Sequence, residues 1–64
     1  MDNYGGYVVG EVCITHFDKT SADKLTRIEQ FVDSQHAVNV KVTLIGENTT
    51  AIVPFAHLSR LRTH

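Results

Sequence analysis

The sequence predicts an α+β fold: one small domain in which a β-α-β-β sheet carries a single helix packed on one face, with a short C-terminal helix or strand. Three stretches carry that expectation. Val38, Val40, Val42 and Leu44 alternate with Asn39, Lys41 and Thr43, the period-two pattern of a strand with one dry and one wet face. Leu25, Ile28 and Val32, with Ala22 behind them and Phe31 beside them, form a stripe at helical spacing. Tyr7 to Phe17 reads as a first strand with apolar residues on both faces.

In chain order, Met1-Asp2-Asn3-Tyr4-Gly5-Gly6 reads as a flexible start, because paired glycines lose much backbone freedom on ordering. In the alternative, the two tyrosines flanking Gly5-Gly6, Tyr4 and Tyr7, cap the sheet or meet a partner. In the first strand, Val8, Val12 and Ile14 share a face with Gly10 and His16, while Tyr7, Val9, Cys13 and Phe17 occupy the other. Gly10 marks a bulge or a close backbone approach. Thr20 followed by Asp23 has capping-box spacing and predicts a helix from Ser21 to Gln35. Gly46-Glu47-Asn48-Thr49 is a turn and Thr50–Val53 the returning strand, ended by Pro54. Beyond it, Phe55, Leu58 and Leu61 at three-residue steps read as a short helix, with a fourth short strand as the alternative. A right-handed crossover over the helix makes the first two strands parallel.

Size and charge bound the function. The 64 residues allow one domain, residues 1–64, and a chain this short buries only roughly 60% of its unfolded surface. Cys13 is the sole cysteine, so no internal disulfide supports the fold, and a partner subunit, most simply a homodimer, is the expected support. The formal net charge is −1. It divides into −3 over residues 1–35, where Lys19, Lys24 and Arg27 face six carboxylates, and +2 over residues 36–64, where Lys41, Arg60 and Arg62 face Glu47. Such a balance supplies no global field for nucleic acid. No apolar run approaches the ~20 residues of a membrane span, and no basic-then-apolar leader opens the chain, so the cytoplasm is the expected location.

Chemistry-bearing residues are few. Zinc needs three or four ligands converging at ~2–2.3 Å, and local motifs usually fix two of them. His16, His36, His57 and His64 are scattered with no close Cys or carboxylate companion, so no metal and no cofactor is expected. Cys13 sits among apolar strand residues with His16 on the opposite face, a small hydrophobe more than a nucleophile. Asp18, Asp23, Glu29 and Asp33 fall in a loop or on a wet helix face, and no glycine loop joins strand to helix.

Length and element order are similar to those of the small tautomerases related to 4-oxalocrotonate tautomerase. That family works through an amino-terminal proline at the start of its first strand. Here Asp2 follows Met1 and the sole proline, Pro54, is internal, so the likeness is one of architecture and carries no activity.

The functional expectation is a non-enzymatic protein-binding regulator, inhibitor or adaptor acting through a sheet face or edge. Stand-alone chains this short from bacteria or their viruses often serve that way. The expected contacts are Tyr7, Val9, Cys13 and Phe17, with Lys41 and the rim residues Arg60 and Arg62. The alternative is a nucleic-acid-binding accessory protein using Lys41, His57, Arg60, Arg62 and His64, the aromatic rings of Tyr4 and Tyr7, and the wet face of Asn39 and Thr43.

Overall fold

Strand Thr49–Pro54 and strand Leu58–Arg60 follow one another in the chain, separated only by the 3-10 turn Phe55–His57, yet they form opposite edges of one sheet. The computed structural model of the protein describes residues 2–61. Its strands are β1 (Asn3–Tyr4), β2 (Tyr7–Val8), β3 (Val12–Thr15), β4 (Lys24–Asp33), β5 (Val38–Leu44), β6 (Thr49–Pro54) and β7 (Leu58–Arg60). β1 and β2 make a small hairpin of their own. The other five form an antiparallel sheet in the order β6-β5-β4-β3-β7.

The α+β expectation is therefore overturned, and with it the likeness to the tautomerase architecture. No α-helix exists among the described residues, and no parallel pair. The segment expected as helix Ser21–Gln35 is β4, and the reason lies in a bulge. Register runs Thr26↔Leu44, Arg27↔Thr43 and Ile28↔Val42, then resumes at Gln30↔Lys41 and Phe31↔Val40. Glu29 is the extra residue. A bulge displaces the two-residue alternation by one, so the inward side chains are Thr26, Ile28 and Phe31. The step of three from Ile28 to Phe31 imitates a helical face. Leu25, expected in the core, points outward and is 44% exposed.

The capping box is overturned too. Asp18 Oδ1 accepts from the amides of Thr20 and Ser21 and from the Thr20 hydroxyl, at 2.7–2.9 Å. Asp23 instead meets His16 Nδ1 at 2.8 Å, closing the loop between β3 and β4. Asp18 and its neighbours thus form a turn stabilised by its own side chain, the behaviour that favours Asp in loops.

The Val38–Val53 hairpin has the predicted form. Val40 and Val42 are fully buried and Leu44 nearly so, while Asn39, Lys41 and Thr43 lie half-buried on the outer face. The return strand starts one residue early, at Thr49. After Pro54 the expected helix through Phe55, Leu58 and Leu61 does not form; a single 3-10 turn leads into the alternative, a short strand, β7, paired with β3.

The first strand is divided at Gly10, whose φ is 93°. Gly10 donates to the Ile28 carbonyl and Ile28 donates back to Glu11, so two residues oppose one. That is a bulge with glycine in the left-handed region. Its other expected role, a close approach, is excluded, since nothing lies within 4 Å of a Cβ built there.

The core is made of Cys13, Ile28, Phe31, Val40, Val42, Val53 and Leu58, with Tyr7 from the hairpin. Each fully buried aliphatic side chain contributes about 1.5–3 kcal/mol. None of the structure's helical segments is long and apolar enough to cross a membrane, among the residues described.

Strand and helix readings of β4 separate cleanly by mutation. Ile28→Ala should cost ~2–5 kcal/mol in urea unfolding, because it hollows the core, whereas Leu25→Ala should stay within about 1 kcal/mol. A helix with Leu25 inward predicts heavy losses at both.

Candidate functional site

β6 reads Thr-Thr-Ala-Ile-Val-Pro, with no charge along its length. One side pairs with β5, and as the end strand of the sheet it has no partner on the other among the described residues. Val53 turns into the core opposite Val40, and Ala51 lies against Val42. Thr50, Ile52 and Pro54 turn outward, and Ile52 is 63% exposed, more than any other large apolar residue described. Free edges expose rows of unpaired amides and carbonyls, and natural sheets blunt them with charges, bulges or proline. Here only Pro54, at the very end, does so.

The surroundings of this edge are polar and held in place. Lys41 stands beside Ile52 on β5, and Gln30 beyond it on β4. Glu29, the bulge residue, accepts from Arg27 Nε at 2.9 Å and the Thr43 hydroxyl at 2.8 Å. These bonds, with the Arg27 and Lys41 charges, hold its carboxyl below its ordinary value of 4.5. At the turn before β6, Leu44 accepts from the amides of Glu47 and Asn48, and Glu47 pairs with Lys24 at 3.2 Å.

At the other end of β6 an aromatic group follows Pro54 directly. Tyr4 and Tyr7 stand edge-on to Phe55, with ring centroids 4.8 and 5.5 Å away, and Tyr4 is 6.3 Å from Phe31. The Arg60 guanidinium lies 4.6 Å over the Tyr7 ring. Edge-to-face packing and cation–π contact are the favoured arrangements for such rings.

The contacts expected from sequence do not form one surface. Tyr7 and Cys13 belong to the core, and Phe17 is half-buried against it. No single strand groups these three, since Tyr7 lies in β2, Cys13 in β3 and Phe17 beyond it, and β3 exposes Val12 and Ile14 in part instead. Val9 is exposed in the turn before Gly10, Lys41 lies beside Ile52, and Arg60 is engaged with the hairpin. Arg62 and His64 lie outside the described residues. Ile52 is missing from the sequence reading. Its signal, an uncharged six-residue strand ending in proline, was present, but its outward face follows only from pairing with β5.

Cys13 sits in a small polar knot inside the core. Thr15 and Thr26 share a hydrogen bond of 2.8 Å, Thr26 donates to the Cys13 carbonyl at 3.3 Å, and the thiol lies 3.6 Å from the Thr26 hydroxyl. Burial pushes the thiol's pKa above its ordinary 9.0, which opposes formation of a nucleophilic thiolate. No metal-holding group of three or more ligands and no surface cavity occurs among the described residues. Of the described cations, Lys24, Arg27 and Arg60 pair with carboxylates, which leaves Lys19 and Lys41. No family model, curated protein or solved structure matches the chain.

Two measurements follow from this geometry. Thr26→Val leaves the Thr15 hydroxyl buried without its partner and should cost ~1–3 kcal/mol, and adding Thr15→Val should recover part of that loss in a double-mutant cycle. The Asp18 carboxyl is held below its ordinary 3.8 by the bonds from Thr20 and Ser21, as Glu29 is below 4.5. Depressed folded values stabilise fully above the unfolded ones and are lost as pH falls through the folded ones. Urea midpoints taken from about pH 5 down to pH 3 should therefore drop, and drop less in Asp18→Ala/Glu29→Gln.

Proposed function

We propose that this chain is a non-enzymatic protein-binding regulator or adaptor that takes an extended segment of another protein along the outer edge of β6. One observation carries the reading: β6 is an uncharged, six-residue edge strand with Ile52 exposed on its outer face. In strand addition the main-chain hydrogen bonds provide affinity, and alternate side chains select the partner. Ile52 and Thr50 are the selecting side chains, with Lys41 at the border. The same edge takes a second copy of the chain when no other partner is bound, which is where the expected homodimer belongs. A cytoplasmic setting accords with Cys13, which is held as a buried free thiol.

A phosphate-led contact has less behind it. Nucleic-acid affinity grows with the number of phosphates neutralised, and Tyr4 and Tyr7 are committed to Phe55. Salt separates the two readings.

Ile52→Lys places a gatekeeping charge on the edge without touching the core. Capture experiments on lysate should recover a protein partner with the wild-type chain and lose it at least ~tenfold with Ile52→Lys, with the melting temperature unchanged. Retention should persist at roughly 0.5 M salt. Undiminished capture by Ile52→Lys, release by salt, or the absence of any retained protein would contradict the proposal.

A further inference from the structure

We propose that the β1–β2 hairpin is a strap that opens as a unit about Gly10, with Arg60 as its latch. The hairpin stands outside the five-stranded ladder as a sheet of its own. Its backbone joins the body at one point, where Glu11 donates to the Val8 carbonyl and Gly10 to that of Ile28. Everything else that holds it is side-chain contact.

The buried Tyr7 and the Tyr4 ring, both against Phe55, supply the apolar part of that contact, and Arg60 supplies the polar part from β7. Its Nη2 donates to the Gly6 carbonyl at 2.6 Å, its Nη1 to Glu11 Oε2 at 3.3 Å, and its plane covers Tyr7. Glu11 serves both parties, since its Oε1 accepts from the Val8 amide at 3.1 Å. Gly5 and Gly6 make the tip, at φ 59° and 87°. A Cβ on Gly5 would stand 2.5 Å from the Phe55 ring, and one on Gly6, at a left-handed φ, would displace the Arg60 guanidinium now 2.6 Å away at Nη2. Other residues at the tip therefore strain the backbone and disturb these contacts.

Apart from the buried Tyr7 ring, the hairpin is fastened by exposed ion-pair and ring contacts, which are weak. A hairpin of two-residue strands with one buried side chain opens ahead of the core. Gly10 has open space around it and a backbone conformation that glycine reaches without strain, as a hinge requires. Opening carries Tyr4 and Tyr7 away from Phe55 and bares an aromatic surface that continues from Pro54, the end of β6. The inference stands independently of what β6 binds.

Amide hydrogen exchange followed by NMR on the full chain tests it. The Val9 amide, bonded to the Asp2 carbonyl at 2.9 Å across the hairpin, reports the strap, because a two-stranded hairpin this short does not stay formed once detached. The amides of β5 report the body. Val9 should exchange at least ~tenfold faster than β5, and Arg60→Ala should speed Val9 by roughly another tenfold with β5 unchanged. Tyr4→Ala, a change at a half-exposed ring, should act in the same selective way. Equal acceleration of Val9 and β5, or a Val9 rate indifferent to both substitutions, would overturn the strap.

Discussion

The link between Pro54 and Leu58 governs the shape of this protein. Five strands laid flat at ~4.8 Å spacing would hold their outer members about 19 Å apart. Fully extended, the link reaches at most about 14 Å, and wound as a 3-10 turn it covers about 8 Å. The sheet must roll until β6 and β7 come within that reach. Rolling gives it a concave side, and that side becomes the core of a chain too short to afford a second layer. The approach of the two unpaired edges, core burial and the position of the aromatic end are consequences of one short connection.

Two bulges adapt the strands to this curvature, and they also explain what could be read beforehand. The Val38–Val53 hairpin was legible because nothing interrupts its alternation. β4 was not, because the insertion at Glu29 converts strand periodicity into the three-and-four spacing of a helix. Thr26, Ile28 and Val32 are β-branched, which favours strand, but the stripe outweighed them in the reading. The sequence groups Tyr7, Val9, Cys13 and Phe17 on one face of a single first strand. With β4 a strand, Tyr7 and Cys13 are buried in the core and Phe17 packs against it, while Val9 stays exposed. The apolar stretch from Tyr7 to Phe17 is not one strand: Gly10 divides it into β2 and β3, which lie in different sheets, and Phe17 follows β3 in the loop.

The candidate site was harder to see. Its apolar content is modest, a single isoleucine between threonine and proline. What distinguishes it is position: β6 is the longer of the two edge strands and carries no charge, whereas β7 ends in the latched Arg60. Sequence alone does not say which strand will be an edge. The polar contacts divide similarly, with Asp18, His16 and Asp23 organising the loop and Arg60 and Glu11 fastening the hairpin. Few charges remain uncommitted on the described surface, which leaves shape and main-chain pairing as the means of recognition.

The rolled sheet is tested most directly by main-chain proton contacts in solution. Nuclear Overhauser spectra of one sample should contain both the Ile14–Ser59 contact, which joins β3 to β7, and the Lys41–Ile52 contact, which joins β5 to β6. They should show extended-chain connectivities from Lys24 to Asp33. A run of helical connectivities through that segment, or no contact between Ile14 and Ser59, would contradict the account.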